Sequence, residues 1–75
     1  MTGRLGAAAL VAVGDELIAG ERAEGNLGWL ARELTSRGWR VSEARLIGDD
    51  LAQLTETLRD LLSGHELVIT TGGLG

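Results

Sequence analysis

The chain has no cysteine, proline, phenylalanine, tyrosine or lysine, and one histidine, His65. Without cysteine there are no disulfides and no thiolate metal sites. A lone histidine excludes a multi-histidine zinc site. With Trp29 and Trp39 as the only aromatics, a stacking platform for single-stranded nucleic acid is missing. All seven bases are arginine and face eleven acids, for a net charge of −4. An acidic domain with no basic stripe does not suit nucleic acid. The longest apolar run, Ala7 to Val13, is too short to span a membrane. It leads into Asp15–Glu16 with no cleavage site, so it does not read as a signal peptide, and a cytoplasmic location is expected.

What is abundant is glycine, twelve in 75 residues, placed at the ends of regular segments. Ala7–Val13 is continuously apolar and closed by Gly14, which predicts a strand buried on both faces. Leu27, Leu30, Ala31 and Leu34 mark one face of a helix near 26–37, with Asn26 as its N-cap and Gly38 just past its end. A more polar strand follows near 40–47, its Ser42, Ala44 and Leu46 on one face and Val41, Glu43, Arg45 and Ile47 on the other. That polarity predicts an edge position. A second helix near 50–63 opens on Asp50 with Gln53 in the capping-box position. Its apolar stripe is Leu51, Leu54, Leu58, Leu61 and Leu62, and Gly64 closes it. A third strand near 66–71 runs into Thr70–Thr71–Gly72–Gly73.

The order β-α-β-α-β predicts an α/β fold: a three-layer α/β/α arrangement on a parallel sheet of strand order 2-1-3. Ligands of such sheets bind beyond the carboxyl ends of the strands, where the strand order reverses. This selects the loops at Gly14–Asp15–Glu16, at Gly48–Asp49–Asp50 and from Thr71 to Gly75. The glycine segment can bring backbone N–H groups close to a phosphate. The acids of the other two loops would repel that phosphate, and Mg²⁺ is the natural mediator. Each feature has a plainer alternative. Asp50 suits a helix cap better than a ligand, Asp15–Glu16 could be a solvated turn, and the glycines an ordinary one. His65 reads as a surface or capping residue, and Trp29 and Trp39 as packing residues. Arg22 and Arg45 could reach an anion.

Val13–Gly14–Asp15–Glu16–Leu17–Ile18, followed by Gly20 and Asn26, resembles the opening of CinA-type (competence/damage-inducible) proteins. Val68–Ile69–Thr70–Thr71–Gly72–Gly73–Leu74–Gly75 resembles their glycine segment, with related forms in the MoaB/Mog molybdopterin-binding domains. Ile47–Gly48–Asp49–Asp50 also fits, while Gly25 departs from the usual residue before the asparagine. The resemblance implies that residues 1–75 are the N-terminal part of one such domain, because the family's segment continues past the position of Gly75 into Pro-Thr and an Asp-rich stretch. The 75 residues alone are expected to be inactive.

By resemblance, Asp49 is the catalytic aspartate, and Asp15 and Asp49 would hold Mg²⁺ or another divalent cation. Gly14, Asp15, Glu16 and Asn26 would contact the ligand from the first loop. Thr71, Gly72, Gly73 and Gly75 would cradle its phosphate. The implied ligand is a small phosphorylated nucleotide or pterin, with no nucleic acid and no membrane, and the full-length protein is expected to be a homo-oligomer. Three functions stay open. One is metal-dependent pyrophosphate cleavage of ADP-ribose-like nucleotides, as in the CinA branch. Another is molybdopterin binding or adenylylation in molybdenum cofactor biosynthesis. The third is ligand binding without catalysis.

Overall fold

A computed structural model describes residues 5–14 and 23–72 of the chain. Strand β1 spans Gly6–Val13, helix α1 Ala23–Ser36, strand β2 Trp39–Ile47, helix α2 Leu51–Leu62 and strand β3 Leu67–Gly72. The sheet is parallel with order β2-β1-β3, as the sequence predicts. Central β1 is buried along its length from Ala7 to Val13, which is why its sequence does not alternate. The chain leaves β1 in one direction for β2 and crosses back over it for β3. Two crossovers of the same hand in opposite directions place their helices on opposite faces. The packing agrees. Ala8 and Leu10 meet Leu34 of α1, flanked by Leu27, Leu30 and Ala31. Ala9, Val11 and Val13 meet Leu61 of α2, flanked by Leu54.

Three local readings change. Helix α1 begins at Ala23, so Asn26 lies inside its first turn and is not its N-cap. At the far end Gly38 has φ +102°, the conformation that suits glycine after a helix. On α2, the buried positions are Thr57 and Leu61, with Leu54 and Leu58 half-buried, whereas Leu51 and Leu62 are exposed. Leu62 lies 100° round the helix from Leu61 and so falls off the stripe.

The third change is on β2, where a bulge breaks the register. Ala8 pairs with Val41 but Ala9 with Glu43, which leaves Ser42 as the extra residue. Side chains on the two sides of a bulge no longer share parity. Trp39 and Val41 therefore pack on the α1 face, and Ile47 on the α2 face. The predicted common face of Val41 and Ile47 does not exist. His65 ties the bulge to α2: its ring lies 2.8 Å from Ser42 Oγ through Nε2 and 2.8 Å from the Leu61 carbonyl oxygen through Nδ1. A ring protonated on Nδ1 satisfies both, donating to Leu61 and accepting from Ser42.

Candidate functional site

Val13, the last residue of β1, is the register partner of both Ile47 and Gly72. All three strands thus end in one row at the same edge of the sheet. Gly14 N–H donates to the Ile47 carbonyl at 2.9 Å, which carries the β1–β2 ladder one residue past the strands. Gly14 and Gly48 are buried, and Asp49 is exposed beside them. This edge is where the strand order reverses, since β2 lies on one side of β1 and β3 on the other.

The two aspartates after β2 have different positions. Asp50 is the N-cap of α2, and its Oδ1 accepts from Gln53 N–H at 3.1 Å. Its backbone is also engaged, with N–H donating to the Gly48 carbonyl at 2.9 Å and its own carbonyl accepting from Leu54. That is the capping role the sequence favours for Asp50. Asp49 precedes the cap and sits outside the helix. Among the described residues no three acids or histidines cluster in a way that could hold a metal. Asp15 and Glu16, two of the acids the sequence assigns to the site, lie outside the described residues, as do Gly73, Gly75 and Arg22. Asn26 is placed by its backbone in the first turn of α1.

Gly72 closes β3 with φ +86°, and a Cβ on it would run into the carbonyl oxygen of Val13. The close approach of β3 to the end of β1 therefore requires glycine here, independently of any ligand. The preceding Thr71 pairs with Ala12. Among the described residues its hydroxyl oxygen, which is buried, has no hydrogen-bond partner, an arrangement that native interiors rarely leave unexplained.

Arg45 does not point to the carboxyl edge. Its Nε donates to Glu43 at 2.7 Å and its Nη2 to Asp60 of α2 at 2.7 Å. The hydrogen bond to Asp60, and then that to Glu43, raises its already high pKa further, so it stays a cation matched by two carboxylates.

Sequence reasoning missed the surroundings of Trp29. The indole is 55% exposed, while Trp39 is half-buried against the α1-face cluster. Trp29, Leu30, Ile69, Thr70 and Thr71 line an open cavity of about 310 Å³ next to the end of β3. The signal was present in the helix period: Trp29 falls off the Leu27–Leu30–Leu34 stripe, so it is not a core position of α1.

Comparisons with known proteins place the chain. The family model described as probable molybdopterin binding domain matches residues 9–75. A CinA-like protein of Frankia casuarinae is 43% identical over 68 residues, 91% of this chain and 16% of that protein. One from Thermotoga maritima is 40% identical over 68 residues, covering 91% and 17%. The chain thus spans about a sixth of the length of these relatives. A crystal structure of CinA from Thermoplasma acidophilum, a protein of unknown function, superposes with a TM-score of 0.85 at 30% identity. It covers 92% of this chain and 41% of that one. With nearly its whole length matched and the predicted α/β order observed, the chain belongs to the family described as probable molybdopterin binding domain, in the form found in CinA-like proteins.

Proposed function

We infer that this domain binds a small phosphorylated nucleotide or pterin at the carboxyl edge of its sheet. We further infer that the full-length protein cleaves the pyrophosphate of ADP-ribose-like nucleotides with a divalent cation. The observation that carries the binding reading is the common row of strand ends: Val13 is level with both Ile47 and Gly72. That row gathers Gly14, Gly48–Asp49 and the Thr71–Gly72 segment at one reversal point.

The chain's own groups have distinct tasks in this reading. The N–H groups of the segment carrying Thr71, Gly72, Gly73 and Gly75 would hold phosphate oxygens and fix the ligand's position, the main lever in phosphoryl chemistry. Asp49 and Asp15 would hold the cation, which fits an ion that takes one or two carboxylates together with phosphate oxygens. Asp50 caps α2 through its Oδ1, so this reading assigns the cation to Asp49 and Asp15 and not to Asp50. The bound ion supplies neutralisation of the phosphate charge. In the overall reaction a water oxygen bonds to one phosphorus and the bridging oxygen leaves with the other phosphate. ADP-ribose would give AMP and ribose 5-phosphate.

The family description favours a second reading, in which the ligand is molybdopterin and the domain binds or adenylylates it. The test is turnover of ADP-ribose, and calorimetric binding of ADP-ribose and of neopterin monophosphate, by the full-length protein with Mg²⁺. Asp49→Asn keeps the shape and removes the charge, so it should lower metal-dependent turnover about tenfold or more while leaving the melting curve unchanged. Wild-type kinetics in that variant would remove Asp49 from the site. Binding without turnover would leave a non-catalytic module.

A further inference from the structure

Strand β2 can meet β1 in two registers, and the chain adopts the one that needs an extra residue. We propose that Arg45, with His65 beside it, locks the bulged register and so positions Asp49 at the carboxyl edge of the sheet. Both are positioning residues and neither touches a ligand. The bearing on activity rests on the reading of Asp49 as a cation ligand, whereas the lock itself is a property of the fold.

Without the bulge, Ala9 would pair with Ser42 and Val13 with Leu46. Ile47 would then pass the end of β1 and carry Asp49 one residue outward, about 3.3 Å. A cation such as Mg²⁺ holds its oxygens at about 2.1 Å in a strict geometry, so a step of that size takes Asp49 out of reach. Apolar burial does not choose between the registers. Ile47 is 3% exposed on the α2 face and Leu46 is 44% exposed. In the slipped register Leu46, an isomer of the same side chain, would take the place of Ile47. The unbroken alternation of the strand suits the slip as well.

The polar ties do choose. Arg45 Nη2 donates to Asp60 of α2 at 2.7 Å, and Nε donates to Glu43 at 2.7 Å. Arg45 faces α2 in the bulged register alone, because a slip by one residue turns every later side chain of β2 to the other face. The extra residue is fastened too. Ser42 Oγ lies 2.8 Å from His65 Nε2, and the same ring reaches the Leu61 carbonyl through Nδ1 at 2.8 Å. A bulge leaves its extra residue out of the ladder, and these two ties to α2 offset that loss.

The chain has no cysteine, so introduced pairs can report the register. In the full-length protein, Val13→Cys is combined with Ile47→Cys, its partner in the bulged register, or with Leu46→Cys, its partner after a slip. A disulfide needs side chains that point towards each other. In the bulged register Leu46 and Val13 point to opposite faces. Timed oxidation, mapped by peptide mass spectrometry, gives the rate for each pair. Arg45→Met with His65→Ala should raise the Val13–Leu46 rate about fivefold or more, the scale of one or two lost hydrogen bonds. Without the cysteines, the same double variant should lose Mg²⁺-dependent turnover of ADP-ribose. Deleting Ser42 from it keeps Val41 opposite Ala8 and Glu43 opposite Ala9 with no bulge to lose. That deletion should restore both the wild-type rate and the turnover, a rescue that a general loss of stability would not show.

A Val13–Leu46 rate unchanged in the double variant would overturn the lock. A raised rate with wild-type turnover would overturn the positioning of Asp49, as would failure of the Ser42 deletion to rescue. Absence of turnover in the wild type would instead remove the pyrophosphate reading, and the cross-linking rates would still decide whether Arg45 and His65 hold the register.

Discussion

Gly72 shows how one residue can serve a fold and a site at once. Its φ of +86° is strained for any residue with a Cβ, and the Val13 carbonyl occupies the place where that Cβ would go. Gly72→Ala should therefore lower stability by about 1–3 kcal/mol. Gly64 supplies the contrast. It follows α2 in an exposed turn, with no positive φ and nothing within 4 Å of the place a Cβ would take. Gly64→Ala should be neutral or raise stability by up to about 1 kcal/mol, through a less flexible unfolded chain. Denaturant melts of the two variants side by side check the pair, and equal melting midpoints would refute the strain argument. The presence of a glycine cluster after β3 was legible in the sequence. That Gly72 is needed against Val13 was not, because it depends on the β1–β3 register and on residues 59 positions apart.

At the scale of elements, α2 is set by a cap and β2 by a bulge, and only the cap could be read in advance. Asp50 and Gln53 announce the helix start by type and spacing, and the Oδ1 to Gln53 N–H bond of 3.1 Å fulfils it. Asp50→Ala should cost about 1 kcal/mol, and Asp50→Asn much less, since the amide oxygen can still accept. Thermal melts of both variants measure this. Ligand affinity in Asp50→Asn should match wild type, and a loss there would return Asp50 to the site. The bulge at Ser42 has no such signature. Trp39, Val41, Glu43, Arg45 and Ile47 alternate without a break, so the sequence pattern implies one continuous face. The pairing partner, not the strand's own sequence, inserts Ser42 as an extra residue. The consequence is that Ile47 turns to the α2 face, while Trp39 and Val41 stay on the α1 face.

Across the whole molecule, burial is concentrated in one strand. Among the described residues, seven of the ten buried apolar residues belong to β1, and the rest are Leu34, Ile47 and Leu61. The outer strands are less well covered. Leu46 on β2 is 44% exposed, and β3 has no fully buried residue. Among the described residues β2 and β3 each pair on one side only. Their outer edges present backbone donors and acceptors to any strand that reaches them, the arrangement that promotes edge-to-edge pairing. The 75-residue chain by itself should therefore associate as its concentration rises, and should melt over a broad range. Sedimentation velocity across a concentration series, with melting followed at each concentration, tests this. Thr70 is exposed on β3, and Thr70→Lys places a charge near that edge without disturbing the β1 core. This change should reduce the association and leave the melting midpoint of the dilute protein in place. A clean monomer with a sharp transition at every concentration would show that two helices over three strands already suffice, and that the open edges carry no drive to pair.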